Sequence, residues 1–175
     1  INIENNMDSF FQKFCDKYPI YFFNTKFKKK LFYVIFSLLQ YFLKGPFLIK
    51  FKLFSIFVYP DKNDYTRFIL TRVTLPDPRE RELIINDLTN SRNVFIDCGA
   101  NLGVFTLEAA RLMKDWGKVY AFEPQKPIYE AMVQTLKLNN CLNVETYNLA
   151  LGSKNSSIKV PILDYSKNSN FGSLE

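Results

Sequence analysis

The chain has 175 residues, of which 47% are hydrophobic and 17% aromatic, and its formal net charge is +6. This length is enough for one domain with a sizeable core. Histidine is absent, which excludes histidine general bases, nucleophiles and metal ligands from these residues. Cys15, Cys98 and Cys141 are odd in number and widely spaced, so they predict neither a disulfide framework nor a metal site. We therefore expect a reducing, cytoplasmic compartment.

The positive charge is concentrated at one end of the chain. Residues 1–60 hold nine lysines and three acidic residues, whereas residues 61–175 hold fourteen basic and fourteen acidic residues. This asymmetry indicates that the two parts of the chain have different functions. We divide the chain into a basic, aromatic-rich extension of helices and a β-hairpin over residues 1–76, and a cofactor-binding domain over residues 77–175.

Four lysines at positions 26, 28, 29 and 30 precede an apolar run from Leu31 to Leu43. The run is shorter than the roughly 20 residues of a membrane-spanning helix, and no secretory cleavage site accompanies it. A helix packed on its own domain is the preferred interpretation. An interfacial helix on an anionic membrane, formed within residues 26–59, and a spanning segment continued past Pro46 remain alternatives. No nucleic-acid partner is expected, although lysines interleaved with aromatic residues could suit single strands.

A β-hairpin and a helix are predicted next. Phe47–Tyr59 alternates in part, residues 60–64 are typical of a turn, and Arg67–Val73 resumes a β-like pattern. The helix begins with Asp77 as the N-cap and Pro78 at the first position. Its apolar side holds Ile84, Ile85 and Leu88, and it ends at Asn90–Ser91.

The stretch from Val94 to Gly103 predicts a buried strand, a tight turn and the start of a helix, the unit that forms nucleotide sites in α/β proteins. Dinucleotide loops read G-x-G-x-x-G and bind a pyrophosphate at a helix N-terminus. Here Gly99 and Gly103 are spaced G-x-x-x-G, and Asp97 precedes them. A carboxylate there would repel a pyrophosphate and suits a cation, so S-adenosylmethionine (SAM), with its ammonium and sulfonium groups, is the candidate ligand.

Two further βα repeats follow the glycine loop. The first helix runs to Gly117, a second strand covers Lys118–Phe122, a second helix starts at Pro127 and closes at Asn139–Asn140, and a third strand covers Val144–Tyr147. The predicted inward residues are Leu102, Phe105, Ala109, Leu112, Met113 and Trp116 in the first helix, and Tyr129, Met132, Val133 and Leu136 in the second. This alternation predicts a parallel sheet with helices on both faces.

Glu123 lies at the end of the second strand, where a carboxylate can accept hydrogen bonds from the two hydroxyls of a ribose. Dehydrogenases use this position as well, so Glu123 alone indicates an adenosine ribose. Simpler structural roles stay open: Asp97 as a turn cap, the glycines as turn residues, Glu123 as the end of a strand. Cys98 is interpreted as a small packed residue.

Together these segments resemble the FkbM family of SAM-dependent methyltransferases. The matching motifs are F-I-D-C-G-A-N-L-G-V-F-T (95–106), A-F-E-P (121–124), L-K-L-N-N (136–140), N-V (143–144) and N-L-A-L-G (148–152). The resemblance covers roughly residues 83–175. It implies the Rossmann-like class I methyltransferase fold, in which SAM lies over the ends of the first three strands of a seven-stranded sheet.

The resemblance also implies roles for individual residues. The residues around the methionine end of SAM would be Asp97, Gly99, Ala100, Asn101 and Gly103, with Thr106 capping the helix behind them. Glu123 would bind the ribose, and Asn148 and Ala150 would border the adenine. Residues 157–175 resemble the β-hairpin insert of the family, and no metal is expected.

The next motif of the family, a strand reading roughly K-I-D-V-E-G with acids near the acceptor, is absent. Because the chain begins at Ile1 and ends at Glu175, we expect a fragment with an incomplete sheet, inactive alone and without assigned catalytic residues. The predicted activity is O-methylation of a hydroxyl on a small-molecule or glycan acceptor: a sugar, polyketide or lipid-linked compound. The alternatives are a nicotinamide-dependent oxidoreductase and a truncated, non-catalytic nucleotide-binding or membrane-associated domain.

Overall fold

The computed structural model describes residues 17, 25–28, 30–31, 34, 46–59, 68–69, 75–88 and 94–160. The described residues fall into two compact units, the first made of those up to Pro76 and the second of those from Asp77 onward. Among the described residues, none of the helices is both long enough and apolar enough to cross a membrane. The predicted apolar run after Val34, the helix end at Asn90–Ser91 and the predicted insert after Val160 lie outside the described residues.

In the first unit, a short antiparallel hairpin pairs β1 (Phe47–Lys50) with β2 (Ser55–Val58). Phe47 lies opposite Val58, Ile49 lies opposite Ile56, and all four side chains are buried on one face. At the turn, the Phe51 N–H donates to the Phe54 carbonyl at 2.8 Å and the two rings stack with centroids 4.6 Å apart.

The predicted position of this hairpin was wrong. Both strands lie inside the run that was interpreted as one strand, and Phe68 and Ile69, expected in the second strand, are helical. Stacked phenylalanines close the turn without glycine or proline, so the turn carries none of the residues by which turns are usually found in a sequence.

The second unit alternates helices and strands. It contains α1 (Pro78–Leu88), β3 (Val94–Cys98), α2 (Val104–Leu112), β4 (Lys118–Phe122), α3 (Lys126–Leu138) and β5 (Val144–Tyr147). The strands are parallel in the order β3-β4-β5. The predicted α/β class with a parallel sheet is confirmed for these three strands, and β4 and β5 have the predicted bounds.

The core of this unit lies between the helices and one face of the sheet. Phe95, Val119 and Val144 share a row of the register. They belong to a cluster with Leu88 of α1, with Ala109 and Ala110 of α2 and with Met113 just after α2. The Tyr129 hydroxyl of α3 lies 3.1 Å from Thr146 Oγ1, two residues beyond Val144 on the same face. All three helices therefore contribute to this face.

The opposite face of the sheet is more accessible. Val94 and Ile96 are 53% and 55% exposed, and the rings of Phe122 and Tyr147 stack at 4.9 Å. Cys98 is also exposed, so its interpretation as a packed residue was wrong. The prediction of helices on both faces therefore holds for only one face within the described residues. Most parallel sheets are covered on both faces.

The end of α2 also differs from its prediction. The helix was expected to run to Gly117, but it ends at Leu112. The Gly117 N–H donates to the Met113 carbonyl at 2.9 Å. Trp116, predicted to face inward, follows the helix and is exposed. By contrast, α3 ends before Asn139–Asn140 as predicted, and Asn140 adopts the left-handed conformation with φ 53°.

Candidate functional site

The glycine loop joins β3 to α2 through three residues in the left-handed region. Gly99, Asn101 and Gly103 have φ values of 83°, 51° and 79°. A Cβ at Gly103 would lie 2.7 Å from Met132 Cγ on α3, whereas a Cβ at Gly99 would have no atom within 4 Å. Gly103 thus permits close contact between α2 and α3, and Gly99 faces open space where a ligand could approach.

Four amides of this loop already donate hydrogen bonds within the protein. The N–H groups of Gly99 and Ala100 both donate to the Phe122 carbonyl at 2.9 Å, and that of Gly103 donates to the Ala100 carbonyl at 2.8 Å. The Asn101 N–H donates to Glu123 Oε2 at 2.9 Å. Phosphate-binding loops instead direct their amides at the ligand. This geometry disfavours a pyrophosphate site.

Glu123 is 4% exposed and is held by a backbone amide at each oxygen. Besides the bond from Asn101, the Gln125 N–H donates to Oε1 at 2.9 Å. Burial raises the pKa of Glu123, and the nearby Asp97 adds to the rise, while the two amide hydrogen bonds oppose it. A carboxylate has about four acceptor positions, so each oxygen retains capacity for a ligand hydroxyl.

Asp97 is 7% exposed and accepts a hydrogen bond at Oδ2 from the Thr106 hydroxyl at 2.5 Å. Burial raises its pKa, and the bonds from Thr106 oppose that rise. The predicted role of Thr106 as a helix cap was wrong: Gly103 occupies the N-cap without a side-chain bond. Asp97 lies on the sheet face that α2 covers, so the Thr106 hydroxyl meets the carboxylate and positions it.

Asn101 contributes an unpaired acceptor. Its side-chain Oδ1 is buried and has no hydrogen-bond partner among the described residues. A buried acceptor left unpaired costs roughly 1–3 kcal/mol, so a ligand that brought a donor would recover that free energy. The loop therefore combines three acceptor side chains, those of Asp97, Asn101 and Glu123, with amides that are already engaged.

Asn148 and Ala150 complete the predicted set. Asn148 Nδ2 donates to the carbonyls of Glu123 and Pro124 at 2.8 and 3.1 Å, which ties the end of β5 to the end of β4. Asn148 and Ala150 line a cavity of about 330 Å³ together with Pro124 and residues of the segment 151–160. The fold thus brings the predicted residues to the carboxyl ends of the strands, while their contacts with a ligand remain predictions.

Sequence reasoning missed two supporting residues. Gln125 supplies the second amide to Glu123, and Met132 occupies the space that a side chain at position 103 would need. A buried carboxylate requires donors, so the residues after Glu123 could have been examined as their source. The contact with Met132 joins elements distant in sequence, and no local pattern indicates it.

Comparisons with known proteins assign no family. No protein family model matches the chain, and no curated protein gives a significant match. The SAM-dependent methyltransferase from Agrobacterium tumefaciens is similar over 61% of this chain and 33% of its own, with 11% identity and a TM-score of 0.43. The protein aTrm5, in its complex with tRNALeu, is similar over 58% of this chain and 27% of its own, with 19% identity and a TM-score of 0.40.

This chain thus spans 33% and 27% of the two solved chains. Their identities and TM-scores are too low to assign a family or an activity to it. The resemblance to the FkbM family therefore stays a prediction from the motifs.

Proposed function

We propose that the second unit binds SAM and forms the cofactor site of a methyltransferase. The observation that carries this proposal is the pair of buried carboxyl groups of Asp97 and Glu123, beside a loop whose amides are already bonded. Such a site offers acceptors and negative charge. It suits a ligand that brings donors and positive charge.

SAM meets these requirements at each position. Its ammonium can donate to Asp97, and its ribose hydroxyls can donate to Glu123. A small rotation of the Asn101 side chain would bring its unpaired Oδ1 within reach of the ammonium as well. A cation also offsets the free-energy cost of two carboxylates removed from water. A nicotinamide dinucleotide would place a pyrophosphate near the same carboxylates, which disfavours the oxidoreductase alternative.

When bound, SAM would supply a methyl group on a sulfonium. The residues of this chain would hold the cofactor in a fixed orientation, and orientation is a large part of catalysis in an in-line displacement. The proposed acceptor is a hydroxyl of a sugar, polyketide or lipid-linked compound, supported by the motif resemblance. No described residue is assigned as the general base.

Isothermal titration calorimetry with SAM, and with NAD⁺ for comparison, tests the binding proposal. Asp97→Asn removes a charged acceptor, which is worth roughly 1.5–3 kcal/mol and should weaken SAM binding roughly ten- to hundredfold. Glu130→Gln is the matched control, because Glu130 is an exposed acid of α3. Tighter binding of NAD⁺ than of SAM, or equal effects of the two substitutions, would contradict the proposal.

Methyl transfer needs a separate experiment. The product of the whole gene would be incubated with SAM carrying an isotopically labelled methyl group and with sugar, polyketide and lipid-linked alcohols. Labelled methyl ether in one acceptor class is the expected product. Binding of SAM without transfer to any acceptor would favour the non-catalytic alternative.

A further inference from the structure

A capped helical segment lies in the basic part of the first unit. The Lys28 N–H donates to Thr25 Oγ1 at 3.3 Å, a bond that is typical of a helix N-cap. The described residues that follow all have helical backbone: Lys26, Phe27, Lys28, Lys30, Leu31 and Val34.

Three large apolar side chains of this segment are directed to solvent. Phe27, Leu31 and Val34 are 77%, 48% and 47% exposed. Their spacing of four and then three residues places them on one face of a helix. This face of the helix is therefore not buried against the protein, whereas most of the Leu31–Leu43 run, for which a packed helix was preferred, lies outside the described residues.

Positive charge flanks the stripe. Lys26 and Lys30 are exposed and precede Phe27 and Leu31 by one residue each, about 100° around a helix of 3.6 residues per turn. Between Asp16 and Asp61 the sequence contains eight lysines and no acidic residue. The surroundings of the stripe therefore complement an anionic surface.

The tip of the hairpin in the same unit repeats this combination. Leu53 is 73% exposed beside the exposed Lys52, and in sequence both lie between Phe51 and Phe54, whose rings stack on each other. The tip thus presents an apolar side chain and a lysine on a turn that its aromatic pair stabilises.

We propose that the first unit docks on the surface of an anionic lipid bilayer. Phe27, Leu31 and Val34 enter the boundary between headgroups and acyl chains, and the flanking lysines lie at the level of the lipid phosphates. Single-stranded nucleic acid is the weaker partner, because Leu31 and Val34 have no ring on which a base could stack. The inference is independent of the proposal for SAM.

Vesicle co-sedimentation of the whole chain tests this docking. The probes are phosphatidylcholine vesicles with and without phosphatidylserine. We expect binding that requires phosphatidylserine and is weakened at least tenfold by the pair Phe27→Ser and Leu31→Ser. For each lysine changed in Lys26→Glu and Lys30→Glu, binding should weaken by at least about fivefold, because an attracted charge is lost and a repelled one is added.

Matched controls come from exposed residues of the second unit. Leu83→Ser with Leu138→Ser removes two exposed leucines, and Lys114→Glu with Lys137→Glu reverses two exposed lysines. Both control pairs should bind vesicles like the wild type. Thermal melts accompany each variant, and since the altered side chains are exposed, the melting temperatures should stay close to that of the wild type.

Several outcomes would overturn the proposal. These are absence of binding to phosphatidylserine vesicles, equal loss of binding in the control pairs, and unchanged binding in both test pairs. A single-stranded oligonucleotide that displaces the protein from vesicles and binds it more tightly would assign the charge to nucleic acid. A dimer in gel filtration that the Phe27→Ser and Leu31→Ser pair dissociates would assign the stripe to self-association.

Discussion

Asp97 and Glu123 are carboxyl groups that folding has removed from water. The threonine hydroxyl on Asp97 and the two backbone amides on Glu123 only partly compensate, and burial raises both pKa values. Ionised carboxylates in such surroundings lower stability at neutral pH. A cost of this kind is typical of functional sites, where stability is exchanged for binding.

The pH dependence of stability follows from the direction of these shifts. A carboxyl group whose pKa is raised in the folded state ionises first in the unfolded chain, so folding loses stability as the pH rises from about 4 through the folded pKa. Asp97→Asn replaces the carboxyl group by an amide, which does not ionise. The variant should melt at a higher temperature than the wild type at pH 7, and the difference should shrink towards pH 4. Thermal melts across this range measure it, and a lower melting temperature of Asp97→Asn at pH 7 would contradict the expected sign.

Asn101→Gly should change the stability of the protein and its affinity for SAM in different ways. Glycine suits the φ of 51° and removes the unpaired Oδ1. The removed cost of roughly 1–3 kcal/mol exceeds the roughly 0.4–1 kcal/mol of entropy that glycine adds to the unfolded chain. Urea denaturation should show unchanged or higher stability, whereas calorimetry should show SAM affinity reduced about tenfold. Unchanged SAM affinity would remove Asn101 from the site.

At the scale of elements, Gly103 controls the approach of α2 to α3. Gly103→Ala adds left-handed strain of roughly 1–2 kcal/mol and a clash with Met132 of roughly 1–3 kcal/mol. Gly99→Ala adds only the strain, because its Cβ meets open space. Urea denaturation should therefore rank Gly103→Ala as the more destabilised variant. In the proposed site, the methyl group of Gly99→Ala would occupy space left for the ligand. Calorimetry should therefore show weaker SAM binding although the variant loses little stability.

Asn143 joins the end of α2 to the start of β4. Its Nδ2 donates to the carbonyl of Ala110 at 3.1 Å and to that of Gly117 at 3.4 Å. Asn143→Asp replaces the donor Nδ2 by an oxygen and keeps the other side-chain oxygen, which is buried without a hydrogen-bond partner in the described part of the chain. It should lower the free energy of unfolding by at least about 1–3 kcal/mol, since the two carbonyls lose a donor. Leu142→Ala, at the exposed neighbouring residue, should change it by less than about 0.5 kcal/mol. Equal effects in chemical denaturation would assign no structural role to the bond.

The elements that could be predicted from sequence are those with strong local signals. The strand Lys118–Phe122 lies between Gly117 and the Glu123-Pro124 pair, and α1 begins at Pro78. The misplaced elements depend on contacts that no local pattern encodes. The hairpin closes through stacked Phe51 and Phe54, and α2 ends before the glycine expected to end it.

Within the candidate site, the sequence indicated the residues but not their partners. The acids and glycines followed from spacing, because strands in a parallel sheet bring their carboxyl ends to one edge. Thr106 was expected to cap the helix, but its hydroxyl donates to Asp97. A hydroxyl near the start of a helix suits either role. The orientation of that hydroxyl depends on which sheet face α2 covers.

At the scale of the whole molecule, the two proposals occupy different units. The residues of the candidate SAM site all lie after Asp77, and the exposed apolar stripe and hairpin tip lie before Tyr59. Substitutions at sites that share no interaction partner usually have additive effects. Asp97→Asn should retain vesicle binding, and the Phe27→Ser and Leu31→Ser pair should retain SAM affinity. Calorimetry and co-sedimentation on both variants measure this, and loss of both properties in either variant would indicate coupled units.

The hydrogen-bonded amides of the glycine loop should also affect the association rate of a ligand and the entropy change of its binding. The conformational freedom of these backbone groups is lost during folding, so a ligand would meet a loop that is already ordered. Association should then be fast and without a slow isomerisation. The amide hydrogens of Gly99, Ala100 and Asn101 should exchange slowly with solvent even in the free protein.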